Sequence, residues 1–220
     1  MGKKEAHMAR KTRIQSSNEE VEETRQTILR IAQQLFMEYG YRSVTTRQLA
    51  EACGLTQPAL YHHFADKQEL YLAVVSDEIT RIKAALERIV RRSEETAELL
   101  KLVASFLLSR VQYDLNLMLH DVRYELSPDA REALDQQFRN GFIVPITEIF
   151  TAGIRQGYLR GPAEGGLPPL PAAYLFMSML SRFAAQRNEE TSTREKQTHH
   201  MEAADVIVRV LLYGLASSRP

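Results

Sequence analysis

Apolar side chains along this chain recur with the period of a helix. Between Ser17 and Tyr39, the residues Ile28, Ile31, Ala32, Leu35, Phe36 and Tyr39 fall at the i, i+3, i+4, i+7 spacing of one helical face. Ser17 with Glu20 offers a capping box at the start of this helix, and Gly40 offers a stop at its end. Two short helices are predicted at about 46–53 and 57–63, then a longer one at about 67–91. Further helical patterns lie near 95–119, 128–156, 171–187 and 199–216. No segment sustains the period-two alternation of a strand, so the predicted fold class is all-α.

Two stretches interrupt the pattern. Gly161 to Pro171 holds three glycines and four prolines, which no helix can traverse. Residues 188–200 are almost wholly polar and read as an exposed link. A shift in composition near residue 70 separates an N-terminal three-helix unit from a larger helical body.

Composition narrows the class. The 220 residues are 44% hydrophobic and 25% charged, as in a soluble globular protein. The single cysteine, Cys53, cannot form an internal disulfide and lies in an apolar helical pattern, where it is expected to be buried; a reducing, cytoplasmic setting is expected. No apolar run approaches the roughly 18 residues of a membrane span. Lys+Arg and Asp+Glu both number 28, so any polyanionic partner must be gripped by a few placed cations rather than by a global field. Residues 1–17 form a basic arm, with Lys3, Lys4, Arg10, Lys11 and Arg13 against Glu5 alone. Met8 directly follows His7, a pattern that fits an added leader over residues 1–7, so little rests on that arm. There is no Gly-rich phosphate loop, nucleophile elbow or HExxH motif; no enzyme activity, cofactor or metal is expected.

The segment Thr45–Lys67 carries the most specific chemistry. Thr45 and Gln48 form a T-x-x-Q capping box, and the helix they open buries Leu49 and Ala50 before Gly54 ends it. Thr56 caps the next helix, with Pro58 in its first turn, where a missing N–H costs nothing. Leu60 and Phe64, four apart, point inward together. Asp66 and Glu69 suggest a second capping box at the start of the long helix. The short helix, glycine turn and second short helix define a helix-turn-helix, whose second helix presents Gln57, Pro58, Tyr61 and His62 outward. Tyr61 is also compatible with simple packing, and Arg47 and Lys67 with ordinary solvated charges. His62 and His63 diverge by about 100° on a helix and do not share a metal ion.

From Thr24 to Val75 the chain resembles the DNA-binding domain of the TetR family of bacterial transcriptional regulators. The residues that carry the resemblance run from Ile28 to Phe36, Tyr39 to Tyr41 and Val44 to Ala50, then Cys53 to Leu55, Ala59 to Phe64 and Lys67 to Leu70. It implies a homodimer placing two recognition helices in successive major grooves of a near-palindromic, double-stranded DNA operator. Carried over by position, Thr46 and Arg47 meet phosphates; Thr56, Tyr61, His62 and Lys67 are mostly backbone contacts; Gln57, Pro58 and Ala59 approach base edges. Residue chemistry agrees in part: glutamine suits adenine, and proline or alanine can touch a thymine methyl. The expected domains are the arm over 1–17, a helix-turn-helix domain over 18–66, and a helical regulatory and dimerisation domain over 67–220.

In the family, the second domain senses a small molecule, and most members are repressors that leave DNA on binding it. A ligand-responsive activator, or a helical protein-binding adaptor without DNA binding, are the alternative readings. Asn116, His120 and Arg123 share one face of a helix, with Tyr124 beside them. Facing inward with Tyr113 and Phe142, they would bind an effector; facing outward, they are a solvated edge. The last two helices are the expected dimer interface, through Tyr174, Leu175, Met177, Ser178 and Ser181, and through Val206, Ile207, Val210, Leu211 and Gly214.

Overall fold

A computed structural model describes residues 2–92, 95–110, 124, 126–185 and 193–213. Every regular element among them is helical. The chain divides into two compact units, Met1–Val75 and Ser76–Pro220. The division falls beyond the boundary at residue 66 expected from the sequence.

The first unit is built from α1 (Gly2–Ser43), α2 (Thr46–Ala52), α3 (Gln57–His63) and the first turns of α4 (Lys67–Val90). The helix of α1 already runs through Ser17, which therefore does not cap it: only the first turn of a helix has N–H groups free to be capped. At Gly40 the backbone leaves the helical region, with φ at 77°. Ile28, Leu29, Ala32 and Phe36 on the inner face of α1 are buried, as are Leu49 and Ala50 of α2, Leu60 of α3 and Phe64 just after it. Each buried leucine, isoleucine or phenylalanine among them contributes about 1.5–3 kcal/mol through the apolar surface it removes from water. Tyr39, predicted on the same stripe, is exposed. The rings of Phe36 and Tyr71 meet edge to face at 5.1 Å, and Tyr41 packs on Tyr71 at 5.0 Å.

The second unit holds the remainder of α4, then α5 (Thr96–Arg110), α6 (Pro128–Phe138), a π-helical turn over Arg139–Ile143 and α7 (Val144–Arg155). A 3₁₀ turn at Pro162–Glu164 precedes α8 (Pro169–Ala185) and α9 (Thr193–Tyr213). Leu100, Val103 and Ala104 of α5 lie in a core with Ile146, Ile149 and Phe150 of α7, Phe176 of α8 and Ile207 and Val208 of α9. Lys101 bridges from α5 to Asp205 of α9 at 3.2 Å. Arg209, then Lys101, hold the Asp205 carboxyl below its ordinary pKa.

Three expectations change here. The helix predicted over 128–156 is two helices with a π turn between them, and Pro145 sits in the first turn of α7. The polar stretch 188–200 is not all link, because α9 begins at Thr193. Ile207 is fully buried in this unit and is not part of an outer face. Gly214 lies outside the described residues.

Candidate nucleic-acid interface

The turn between α2 and α3 forms as its local chemistry dictates. The N–H of Gln48 donates to Thr45 Oγ1 at 3.2 Å, and the N–H of Thr45 donates to Gln48 Oε1 at 2.8 Å. Two otherwise orphaned donors are thereby satisfied reciprocally. Cys53 closes α2 and Gly54 follows in the left-handed region, with φ at 67°. Thr56 caps α3 by accepting the Ala59 N–H at 3.3 Å, with Pro58 in the first turn. The cap of α4 differs from the expected box. Asp66 accepts the Glu69 N–H at 2.7 Å, but the Glu69 carboxylate takes the Ala65 N–H, at 2.6 Å, instead of that of Asp66.

Leu60 and Phe64 are buried, which turns the opposite side of α3 to solvent. Gln57, Pro58, Tyr61 and His62 are all exposed on that side, Tyr61 to 46%. Ala59 is half-buried beside them. At the start of α2, half-buried Thr46 receives hydrogen bonds from Gln57 Nε2 and from Tyr61 Oη, each 3.4 Å long. Arg47 is exposed, and its Nε pairs with Glu51 Oε1 one turn on, at 2.8 Å. That hydrogen bond raises the guanidinium pKa further above its already high ordinary value. The ammonium of Lys67 lies 4.2 Å from the centre of the Tyr41 ring. Arg25 covers the Phe64 ring in the same way, at 4.9 Å.

The structure therefore gathers Thr46, Gln57 and Tyr61 into one cluster, with Arg47 next to Thr46 in sequence. Sequence reasoning missed Glu51 as the partner of Arg47, although their i, i+4 spacing signals it. It also missed Tyr41 beneath Lys67, a contact between distant positions that no local pattern encodes. Cys53, expected to be buried, is only half-buried; burial pushes its thiol pKa up, while the charge of Arg30 opposes this.

The candidate effector residues are less complete. Tyr113, Asn116, His120 and Arg123 lie outside the described residues. Tyr124 is 65% exposed, whereas Phe142 is buried with its ring stacked on Phe138 at 4.7 Å. A cleft of ≈ 380 Å³ in the second unit is lined by Lys83, Glu87, Asn140, Val144 and Glu148, among others, and by neither Tyr124 nor Phe142. Among the described residues, no group of three or more His, Cys, Asp or Glu could hold a metal ion, and no helix is long and apolar enough to cross a membrane.

A three-helix unit with a glycine turn and an exposed polar edge on its last short helix is a helix-turn-helix domain. Residues 28–74 match the family model of bacterial regulatory proteins, tetR family, so this segment is similar to the helix-turn-helix domain of those regulators. It is 41% identical over 66 residues to the HTH-type transcriptional repressor AcnR of Corynebacterium diphtheriae, covering 30% of this chain and 35% of that protein. It thus spans about a third of the length of that relative. Similarity to the HTH-type transcriptional repressor KstR2 of Mycobacterium tuberculosis is 26% over 147 residues, covering 64% of this chain and 72% of the relative. The transcriptional regulator FadR of Bacillus subtilis, solved in complex with stearoyl-CoA, has the same fold. Its TM-score is 0.69 at 16% identity, over 87% of this chain and 99% of that one.

Proposed function

We propose that two copies of this chain form a homodimer that binds a near-palindromic operator and represses transcription, and that a small molecule bound by the second unit releases it. The observation that carries this reading is the exposed edge of α3, Gln57, Pro58, Tyr61 and His62, beside Thr46 and Arg47 of α2. Phosphates need cations or N–H and O–H donors, which Arg47, Lys67, Thr46, Thr56 and His62 supply, while Tyr61 gives its own proton to Thr46 beside them. Base edges need the paired donor and acceptor of an amide, which Gln57 supplies, with Pro58 and Ala59 as apolar neighbours. The matching relatives named above are repressors, which favours repression over activation. We read the chain as a regulator without catalysis of its own, acting in the cytoplasm where its DNA is.

Dimerisation is assigned to the outer faces of α8 and α9. Tyr174, Leu175 and Val206 there are 45%, 43% and 42% exposed, an apolar surface that a second copy can cover. For the effector, a stearoyl-CoA probe is the first to try, since FadR holds that molecule in the same fold.

Binding to a selected operator duplex, measured over a range of salt concentrations, tests the central claim. A dimer that neutralises several phosphates on each half-site loses affinity steeply, by about 10³-fold or more between low and physiological salt. Affinity indifferent to salt, or no DNA binding at all, would leave the helical adaptor as the better reading.

A further inference from the structure

We infer that Thr46 is a specificity-determining positioning residue: its hydroxyl fixes the amide of Gln57 in the orientation that reads adenine. The inference rests on the reading of Gln57 as a base contact. Two side chains from α3 converge on this one oxygen of α2, Gln57 through Nε2 and Tyr61 through Oη, both at 3.4 Å. A hydroxyl has two acceptor lone pairs and one proton. With both lone pairs engaged, Thr46 keeps only its proton to give, and the phosphate oxygens of DNA accept protons and donate none. The same hydroxyl therefore suits the backbone of DNA while it holds the reader of the bases.

The consequence for Gln57 is a fixed polarity. One Nε2 proton is committed to Thr46, which leaves the second Nε2 proton and Oε1 free. Adenine presents in the major groove an acceptor at N7 and a donor at N6, the complement of that remaining pair. An amide free to rotate by 180° would offer the donor and acceptor in either order. Thr46 removes that choice before DNA arrives, so less rotational freedom is lost on binding. Water leaves the interface as the duplex docks, and the hydrogen bonds from Gln57 and Tyr61 strengthen in the drier surroundings.

The test compares full-length wild type with Thr46→Val, Thr46→Ser, Gln57→Ala and the double variant Thr46→Val/Gln57→Ala. Each is used to select from one pool of randomised duplexes, and base preferences are read by sequencing. Valine keeps the shape of threonine and leaves the Thr45 cap in place; if Thr46→Val does not fold by circular dichroism, Thr46→Ala takes its place. The expected result is that Gln57→Ala and Thr46→Val flatten the preference at the same base pair, by about five- to tenfold, while Thr46→Ser keeps it. The double variant is expected to lose no more preference than Gln57→Ala. If Gln57→Ala flattens one position but Thr46→Val weakens all duplexes equally, Thr46 is a phosphate contact only and the inference is overturned. If Gln57→Ala flattens nothing, the base-reading role of Gln57 is overturned and the inference goes with it.

Discussion

At Gly54 the chain turns from α2 towards α3 with φ at 67°, and a Cβ built there would meet nothing within 4 Å. The two facts separate backbone strain from packing. Replacement by alanine adds no clash, so its cost is the left-handed conformation alone, about 1–2 kcal/mol. Gly54→Ala is expected to lower the unfolding free energy, read from denaturant titration, by that amount, and Gly54→Asn by less, because asparagine tolerates the left-handed region better. An equal loss for both would point to packing against the side chain and against this account. The same locality explains what the sequence reveals at this scale. The Thr45–Gln48 box, the Thr56 cap and the Gly54 turn each involve residues within a few positions of one another, and all three were legible. Tyr41 under Lys67 and Arg25 over Phe64 join distant positions, and a one-dimensional pattern has no means of announcing them.

Element boundaries were legible where a breaker stands and illegible where the change is one of pitch. The interruption expected at Gly161–Pro171 falls between α7, which ends at Arg155, and α8, whose first turn takes up Pro169 and Pro171, where proline is tolerated. Between α6 and α7 the helix does not stop; it widens to a π turn at Arg139–Ile143, and apolar periodicity alone does not register one extra residue. The turn brings Gly141 against α4: a Cβ there would lie 2.7 Å from Ile79 Cγ2, which forces one of the elements to move. Gly141→Ala is therefore expected to destabilise the protein by about 1–3 kcal/mol in urea unfolding, as overpacking does. Removing the opposing methyl tests the cause. In the Gly141→Ala/Ile79→Ala double variant the two costs are expected to sum to less than their separate values, because each relieves the other. Simple additivity would show that the side chain of Ile79 is not what fixes glycine at this position.

For the whole molecule, charge and exposed apolar surface lead to the same requirement. With 28 cations balanced by 28 anions, no net positive field draws a single copy to DNA, so under the proposed function each half-site would be held by only a few cations. A second copy on an adjacent half-site would make the next binding event intramolecular and multiply that modest grip. The apolar stripes of α8 and α9 were visible in the sequence, but which residues face outward was not. Val206 and Ile207 are neighbours of nearly equal hydrophobicity, yet about 100° of helical rotation leaves the first exposed and the second in the core. Only packing against α5 and the rest of the unit decides between them. Leu175→Glu together with Val206→Glu places like charges on that face without disturbing buried side chains. The double variant is expected to sediment as a monomer, to keep its helical circular dichroism, and to bind the operator at least about 100-fold more weakly. The matching change at Ile207 is expected to unfold the second unit instead, since it buries a charge without a partner. A charged outer face that still sediments as a dimer would move the interface elsewhere on the second unit. A monomer that still binds the full operator tightly would remove the need for pairing altogether.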